Sequence, residues 1–174
     1  QLKTIADIGI IGLPNAGKST LLSVITSANP KIANYKFTTL NPNLGVAIYD
    51  DKEITLADIP GLIEGAHEGV GLGTKFLKHI ERCKILLHMI DVTEKDLLLS
   101  YKQIRNELKK YSNELIKKKE IIVLNKVDQI NERELKEKIK FFEGKTRKKV
   151  NILSNMDKKL ISKIKSKLLK YVFK

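Results

Sequence analysis

An eight-residue segment near the N-terminus combines residue types that bind phosphate. Residues 12–19 read GLPNAGKS and fit the pattern G-x-x-x-x-G-K-[ST], between an apolar run at 5–11 and a stretch with helical spacing at 17–28. In such a loop, backbone N–H groups surround phosphate oxygens, and the following helix N-terminus favours negative charge. Lys18 would reach the β- and γ-phosphates, and the Ser19 hydroxyl would bind Mg²⁺. The predicted contact residues are Gly12, Leu13, Pro14, Asn15, Ala16, Gly17, Lys18, Ser19 and Thr20.

A second segment, NKVD at residues 125–128, has the residue types that select guanine. At neutral pH a carboxylate only accepts hydrogen bonds, and guanine presents two adjacent donors, N1–H and the 2-amino group. Adenine has an unprotonated N1 and lacks that amino group. Asp128 is therefore predicted to select guanine, with the aliphatic stem of Lys126 over the base and Asn125 bracing the loop.

Three further segments are predicted to complete a guanine nucleotide site. DIPG at residues 58–61 fits D-x-x-G, in which Asp58 would hold Mg²⁺ through water and the Gly61 N–H would contact the γ-phosphate. FTT at residues 37–39 lies in the first long loop, where Thr39 is the predicted second Mg²⁺ ligand. SNM at residues 154–156 would offer a backbone N–H to guanine O6. The predicted contacts from these segments are Phe37, Thr38, Thr39, Asp58, Ile59, Pro60, Gly61, Ser154, Asn155 and Met156.

Strand-like and helix-like stretches alternate along the chain. Strands are predicted at residues 5–11, 45–49, 53–59, 84–91, 120–125 and 149–154, and helices at 17–28, 94–118, 131–143 and 157–173, with another ending near residue 82 and a loop at 30–44. This alternation predicts a three-layer α/β fold, in which a mainly parallel sheet has helices on both faces. About six strands are expected, with 53–59 antiparallel to 45–49. Because sites in such sheets lie beyond the carboxyl ends of the strands, the motif loops should form one pocket.

Composition limits the remaining possibilities. The 174 residues suit a single domain, 1–174, and no apolar run approaches the roughly 20 residues that span a bilayer. The only cysteine, Cys83, suits a reducing, cytoplasmic compartment. Residues 1–100 hold 10 Lys+Arg and 11 Asp+Glu, whereas residues 101–174 hold 23 and 9, so the net charge of +13 belongs to the C-terminal part. That part either faces RNA or another polyanion, or is a solvated lysine-rich surface.

The ordered motifs identify a GTP-binding G domain, and two segments resemble one family in particular. YKFTTLNPNLG (35–45) and DIPGLIEGAHEGVGLG (58–73) look like the two switch regions of Obg GTPases, and residues 2–22 look like the start of the Obg G domain. The resemblance covers essentially the whole chain. It implies a P-loop NTPase G domain acting as a GTP/GDP switch, a large ribosomal subunit as partner, and an excised G domain without the family's glycine-rich N-terminal domain. A monomer is expected. Asn155 departs from the family's last motif, which usually has alanine there.

The residue that orients the attacking water is not evident. Many small GTPases have Gln directly after D-x-x-G, but this chain has Leu62, which cannot hydrogen-bond water, so slow hydrolysis is predicted. One hypothesis is that Asn15, which resembles the asparagine of potassium-activated GTPases, holds K⁺ beside the phosphates. Glu64 and His67 are a second option, and a partner such as the ribosome is a third.

The sequence does not favour two other interpretations, a dinucleotide-binding loop and a P-loop kinase or ATPase. GVGLG (69–73) has the spacing G-x-G-x-G and does not open a helix after a first strand, so a dinucleotide loop is rejected. His79 is expected on a helix surface and His88 within a strand. A P-loop kinase or ATPase is disfavoured by NKVD. One alternative stays open, an RNA- or ribosome-binding module in which GTP is mainly structural; such a module would bind ribosomal subunits equally with GTP and GDP.

Overall fold

The strands and helices are defined in a computed structural model that describes residues 6–26, 31–32, 42–59 and 80–174. The strands in these ranges are β1 (Ile8–Ile11), β2 (Lys31–Ile32), β3 (Asn43–Tyr49), β4 (Lys52–Asp58), β5 (Ile85–Asp91), β6 (Lys119–Asn125) and β7 (Val150–Ile152). The helices are α1 (Lys18–Ile25), α2 (Leu97–Tyr111), α3 (Asn113–Ile116), α4 (Glu132–Thr146) and α5 (Lys158–Val172). A 3-10 turn, Val127–Gln129, follows β6.

All seven of these strands belong to one sheet, in the order β2-β3-β4-β1-β5-β6-β7. β3 is antiparallel to both of its neighbours, and the other pairings are parallel. The predicted mainly parallel sheet with one antiparallel strand is therefore confirmed. The loop predicted at 30–44 is wrong at its ends, because Lys31 and Ile32 pair with Leu44 and Asn43 at the sheet edge. Pairing with β3 satisfies backbone groups there, and the residue pattern alone does not reveal it.

The core lies on both faces of the sheet, and β5 shows why. Alternate residues of a strand point to opposite faces. Ile85, Leu87 and Met89 pack in the cluster that contains residues of α1 and α5. Leu86 packs with residues of α2 and α3, and Ile90 packs with residues of α2 and α4. Both faces of β5 are thus covered, which explains its mainly apolar sequence and confirms the three-layer α/β fold.

The helix predicted at 94–118 is shorter and is interrupted. It begins at Leu97, after Asp96 caps it by accepting a hydrogen bond from the Leu99 N–H. At Ser112 the backbone is extended (φ −164°, ψ 129°), and the Ser112 hydroxyl caps the short helix α3 while donating to Glu81. Competition by the serine side chain for backbone hydrogen bonds ends the first helix there. None of the helices in the described ranges has the length and apolar character needed to cross a membrane.

Glu120, at the amino end of β6, is the centre of a buried polar network. Its side chain is 3% exposed and lies 3.1 Å from His88 Nδ1 and 3.4 Å from Arg105 Nη1. The Tyr101 hydroxyl donates to Glu120 at 3.2 Å, and Lys148 Nζ lies 3.6 Å from the same carboxylate. Burial alone would raise the pKa of Glu120, but hydrogen bonding and the positive charges around it outweigh burial and lower the pKa from 4.5 to about 2. The position of His88 within a strand agrees with the sequence-based expectation.

Replacing Glu120 with Gln is expected to destabilise the fold at pH 7 by on the order of 3 kcal/mol, because each pKa unit corresponds to about 1.4 kcal/mol. A carboxyl group with a lowered pKa stabilises the fold above its unfolded-state pKa of 4.5 and loses that effect as the pH falls towards 2. Urea unfolding at pH 7 and at pH 3 should therefore show a smaller difference between wild type and E120Q at pH 3. The exposed Glu137→Gln is the control. Equal effects of the two variants at pH 7 would contradict the role assigned to Glu120.

Candidate functional site

The phosphate-binding motif forms the connection between β1 and α1, as the sequence requires. The loop turns tightly, with the Ala16 N–H donating to the Leu13 carbonyl at 3.1 Å. Asn15 (φ 70°) and Gly17 (φ 98°) adopt left-handed backbone conformations. Asparagine tolerates that region and glycine has no steric penalty there. The loop therefore leads into the N-terminus of α1 at Lys18, where backbone N–H groups are available to an anion.

Two glycines of the loop are required by close packing against neighbouring strands. A Cβ atom added to Gly12 would lie 2.5 Å from the carbonyl oxygen of Met89 in β5. A Cβ atom added to Gly17 would overlap the side-chain amide of Asn125. The phosphate loop is thus held directly against the carboxyl ends of β5 and β6, and larger residues would push it away.

Asn125 joins the predicted base-recognition loop to the phosphate loop. Its side chain is fully buried, and its Nδ2 donates to the Ala16 carbonyl at 2.9 Å. This is the contact that a bracing role requires. The Asn125 Oδ1 atom is buried without a hydrogen-bond partner among the described residues. A ligand donor or a water molecule at this position would satisfy it, because buried polar atoms are rarely left unpaired.

Lys126 makes a second link between the same two loops. Its Nζ donates to the Asn15 carbonyl at 2.7 Å and to Asp91 Oδ2 at 2.9 Å. These contacts extend the side chain across the site and leave its aliphatic stem as the surface over which a base could lie. Lys126 itself has φ 67°, which turns the chain sharply after β6.

Asp91 belongs to the candidate site through its contact with Lys126, although no sequence motif indicated it. It ends β5, and its carboxylate also accepts hydrogen bonds from Thr93, at 2.6 Å from the hydroxyl and 2.9 Å from the N–H. Partial burial would raise the pKa of Asp91, but the hydrogen bonds from Thr93 and Lys126 outweigh it and hold the pKa below its ordinary value. One sequence feature could have indicated it: Asp91 is an acidic residue at the carboxyl end of a buried strand. That strand, β5, pairs with β6, which leads into NKVD.

Asp128 lies in the 3-10 turn with an exposed side chain. Its carboxylate has no hydrogen-bond or ion-pair partner in the described part of the chain, so both oxygens are available to a ligand. The Val127 N–H donates to the Leu153 carbonyl at 3.3 Å, which ties this turn to the loop after β7. The two predicted base-contacting loops are therefore adjacent.

The loop after β7 presents its three predicted residues differently. Ser154 is buried, and its hydroxyl accepts a hydrogen bond from the Met156 N–H at 3.3 Å. The Met156 side chain is 85% exposed. The Asn155 side-chain amide lies beside the phosphate loop, 3.5 Å from the position of a Cβ atom on Gly17. The asparagine that departs from the family pattern therefore contributes a polar side chain to the site, where alanine would contribute none.

Ser19 and Asp58 come together as a potential Mg²⁺ site. The Ser19 hydroxyl donates to Asp58 Oδ2 at 2.9 Å, and Lys18 Nζ lies 4.0 Å from Asp58 Oδ1. Asp58 is 4% exposed, and its Oδ1 atom has no hydrogen-bond partner among the described residues. Hydroxyl and carboxylate oxygens suit Mg²⁺, which usually takes few protein ligands and completes its shell with water and phosphate. In the described ranges no cluster of three or more His, Cys, Asp or Glu side chains offers an alternative metal site.

Of the remaining residues singled out in the sequence, some are described by the structure and others lie outside the described residues. Ile59 is buried in the core, and its N–H donates to the Ile10 carbonyl at 3.1 Å, so its side chain does not reach the site. Thr20 is exposed on the first turn of α1. The others lie outside the described residues, namely Phe37, Thr38, Thr39, Pro60, Gly61, Leu62, Glu64, His67 and His79.

The sequence is similar to curated bacterial proteins named GTPase Obg. It is 69% identical over 172 residues to the protein of Pelagibacter ubique. This alignment covers 99% of the chain and 53% of that protein. The chain is 53% identical over 172 residues to the protein of Rickettsia felis, in an alignment that covers 99% of this chain and 52% of that protein. The chain thus spans about half the length of these relatives.

The fold is similar to that of solved G domains. The cytosolic domain of the Thermotoga maritima FeoB iron transporter, in its GMPPNP form, matches with a TM-score of 0.69 at 19% identity over 96% of this chain and 64% of that chain. A point variant of Aquifex aeolicus Era, bound to GDP·AlF4⁻, matches with a TM-score of 0.68 at 25% identity over 97% of this chain and 57% of that chain. A family model described as "50S ribosome-binding GTPase" matches residues 7–126. The chain therefore belongs to the 50S ribosome-binding GTPase family, and its resemblance to Obg proteins is confirmed.

Proposed function

We propose that this chain binds GTP with Mg²⁺, hydrolyses it slowly and acts as a nucleotide-dependent switch. One observation carries the proposal: the base-recognition loop is joined to the phosphate loop by the Asn125–Ala16 and Lys126–Asn15 hydrogen bonds. A nucleotide that fills both loops would bridge a preorganised pair of sites. Preorganisation reduces the entropy that is lost when a ligand binds.

The chain's own residues would divide the work of binding and hydrolysis. Asp128 would accept hydrogen bonds from guanine N1–H and the 2-amino group, and the stem of Lys126 would cover the base. Lys18 Nζ now lies 4.0 Å from Asp58 Oδ1. When a nucleotide binds, the ammonium group would contact a phosphate oxygen instead, while the backbone of Lys18 stays at the start of α1. Mg²⁺ held by Ser19 and Asp58, with Thr39 as the proposed further ligand, would neutralise charge on the phosphates. The Gly61 N–H is proposed to contact the γ-phosphate.

Catalysis in this site would depend mainly on positioning and charge stabilisation. Leu62 follows D-x-x-G and cannot orient water, so another source of transition-state stabilisation is needed. We propose that Asn15 helps to hold K⁺ beside the phosphates. Asn15 is exposed at the edge of the phosphate loop, and only its carbonyl is engaged by Lys126 among the described contacts.

GTP turnover with Mg²⁺ is expected to be slow in NaCl, well below about 1 per second, and at least several-fold faster in KCl. Asn15→Gly removes the side-chain amide, and glycine tolerates the φ of 70° at this position. It should remove the difference between the two salts while GDP affinity stays within about twofold. Asn113→Gly, in the short helix α3 away from the phosphate loop, is the matched control. No hydrolysis in either salt would contradict the GTPase proposal. Equal turnover in KCl and NaCl would contradict only the K⁺ role.

The proposed partner is the large ribosomal subunit. The matching family's description names the 50S subunit, and the residues proposed to sense the γ-phosphate fall in segments 30–44 and 59–75, whose arrangement would change after hydrolysis. A switch should bind large subunits more tightly with a non-hydrolysable GTP analogue than with GDP. Equal affinity would favour the alternative, an RNA-binding module in which GTP is structural.

A further inference from the structure

A basic cleft lies at the amino ends of the parallel strands, whereas the candidate nucleotide site lies at their carboxyl ends. It is formed where β6 and β7 begin, together with parts of α2, α3 and α5. Six basic side chains line it, namely Arg105, Lys117, Lys118, Lys148, Lys149 and Lys167, against one acidic residue, Glu120. β6 runs seven residues from this cleft to Asn125 in the nucleotide site, a distance of about 20 Å. A ligand in the cleft would therefore not compete with a nucleotide.

Helix α5 extends the basic surface beyond the cleft. A second groove along this helix shares Lys167 and Tyr171 with the cleft. Its lysines are Lys159, Lys163, Lys167, Lys170 and Lys174, and no acidic residue lines it. The 15 residues of α5 span about 22 Å. Since each strand of a nucleic acid duplex carries one charge per about 3.4 Å, this length could follow several phosphates.

Most of the positive charge in this surface is not neutralised by the protein. Glu120 engages Arg105 and Lys148, and Lys149 lies 3.7 Å from Glu143. In contrast, seven lysines of the cleft and groove have no acidic partner among the described residues, namely Lys117, Lys118, Lys159, Lys163, Lys167, Lys170 and Lys174. Of these, Lys117, Lys163 and Lys170 are exposed and are used in the test below. Gathering cations without partners costs electrostatic energy, which a bound polyanion would recover.

The opposite face of α5 argues against an occupant that requires insertion of this helix into lipid. Ile164, Leu168, Leu169 and Val172 are buried in the core against the sheet, so no apolar stripe is available to enter lipid. The exposed surface is concave and carries mainly lysine, which binds phosphates as a point charge. Contact with a phosphate backbone fits these features, because lysine side chains commonly contact phosphate oxygens and such contacts do not depend on base sequence.

We propose that the surface formed by the basic cleft and α5 binds the phosphate backbone of RNA. This inference rests on the proposed ribosomal partner and adds to it the face of the domain that meets ribosomal RNA. The described part of the candidate nucleotide site, which includes Lys18 and Asn125, lies at the carboxyl ends of the strands, away from this surface. RNA bound to the surface would therefore leave the nucleotide site accessible.

The test is a charge-reversal variant with Lys117→Glu, Lys163→Glu and Lys170→Glu. Binding of a fluorescein-labelled 12-nucleotide oligouridylate is measured by anisotropy between 50 and 300 mM KCl. We expect affinity at 100 mM KCl to fall at least 10-fold. The slope of log K against log [KCl] should become shallower by about 2, since single strands lose about 0.7 per phosphate contact. The milder Lys→Gln triple variant should show a smaller decrease in the same direction.

A matched control variant distinguishes an effect of this surface on RNA binding from an effect of the protein's net charge. Lys95→Glu, Lys102→Glu and Lys140→Glu change the net charge equally at exposed positions outside the cleft and groove. They should weaken RNA binding less than threefold. Equal losses in the two charge-reversal variants would overturn the proposal, as would equal competition by polyglutamate and unlabelled RNA. Affinity for a fluorescent GDP analogue is measured in parallel and should be unchanged in both variants. Failure of the wild-type chain to bind GDP would contradict the proposed function and leave the RNA measurement interpretable.

Discussion

Replacing Asp128 with Asn is expected to change the preferred base of the nucleotide site from guanine to xanthine. The Asp128 carboxylate is exposed in the turn after β6, where it would accept two hydrogen bonds from guanine. The amide of Asn would instead place a donor opposite the 2-amino group of guanine. Hydrogen bonds to charged groups contribute about 1.5–3 kcal/mol each, so GDP affinity should fall roughly 100-fold or more. Xanthine has a carbonyl oxygen at that position, which the amide can donate to, and XDP affinity should rise. Competition titrations with GDP, XDP and ADP measure both changes.

Asp51→Asn is the control for this substitution. Asp51 is exposed in the turn between β3 and β4, and its φ of 61° is one that Asn tolerates. The substitution makes the same change in charge away from the site, and nucleotide preference should not move. If Asp128→Asn left the ratio of GDP to XDP affinity unchanged, the assignment of the base-recognition loop would be wrong.

Gly17→Ala is expected to abolish nucleotide binding, with GDP affinity lowered at least 100-fold. Gly17 has φ 98°, where an L-residue costs about 1–2 kcal/mol. The added methyl group would also overlap the Asn125 side chain, which joins the phosphate and base loops. Relief of the overlap would break the Asn125–Ala16 hydrogen bond and leave buried polar groups unpaired. Calorimetric titration with GDP and urea unfolding should show loss of binding together with lower stability.

Gly144→Ala provides the matched comparison. Gly144 lies in α4, and a Cβ atom added there would meet nothing within 4 Å. Alanine should therefore leave GDP affinity unchanged and raise stability by up to about 0.5–1 kcal/mol, through helix propensity. Normal GDP binding by Gly17→Ala would contradict the close packing of the two loops.

The amino-acid sequence by itself determined the fold class and predicted most residues of the candidate nucleotide site. The runs at 84–91 and 120–125 are mostly apolar because both faces of β5 and β6 are buried, and their ends were predicted within one residue. The phosphate loop and the base loop were evident because fixed chemistry at fixed spacing is needed to bind phosphate and guanine. These features are local in sequence, so local patterns reveal them.

Only the tertiary structure decided which distant residues meet. Asp91 was missed because its partner Lys126 lies 35 residues away, and the Asn125–Ala16 hydrogen bond spans 109 residues. The sequence also did not indicate the break between α2 and α3 at Ser112. There the Ser112 hydroxyl, which donates to Glu81, accepts hydrogen bonds from the N–H groups that begin α3. The excess of lysine was visible in the sequence, but its collection around one cleft follows from the way α2, α3 and α5 pack at the amino ends of β6 and β7. Contacts of this kind depend on which strand ends the sheet brings together. Hydrophobic periodicity and motif spacing in the sequence do not reveal that arrangement.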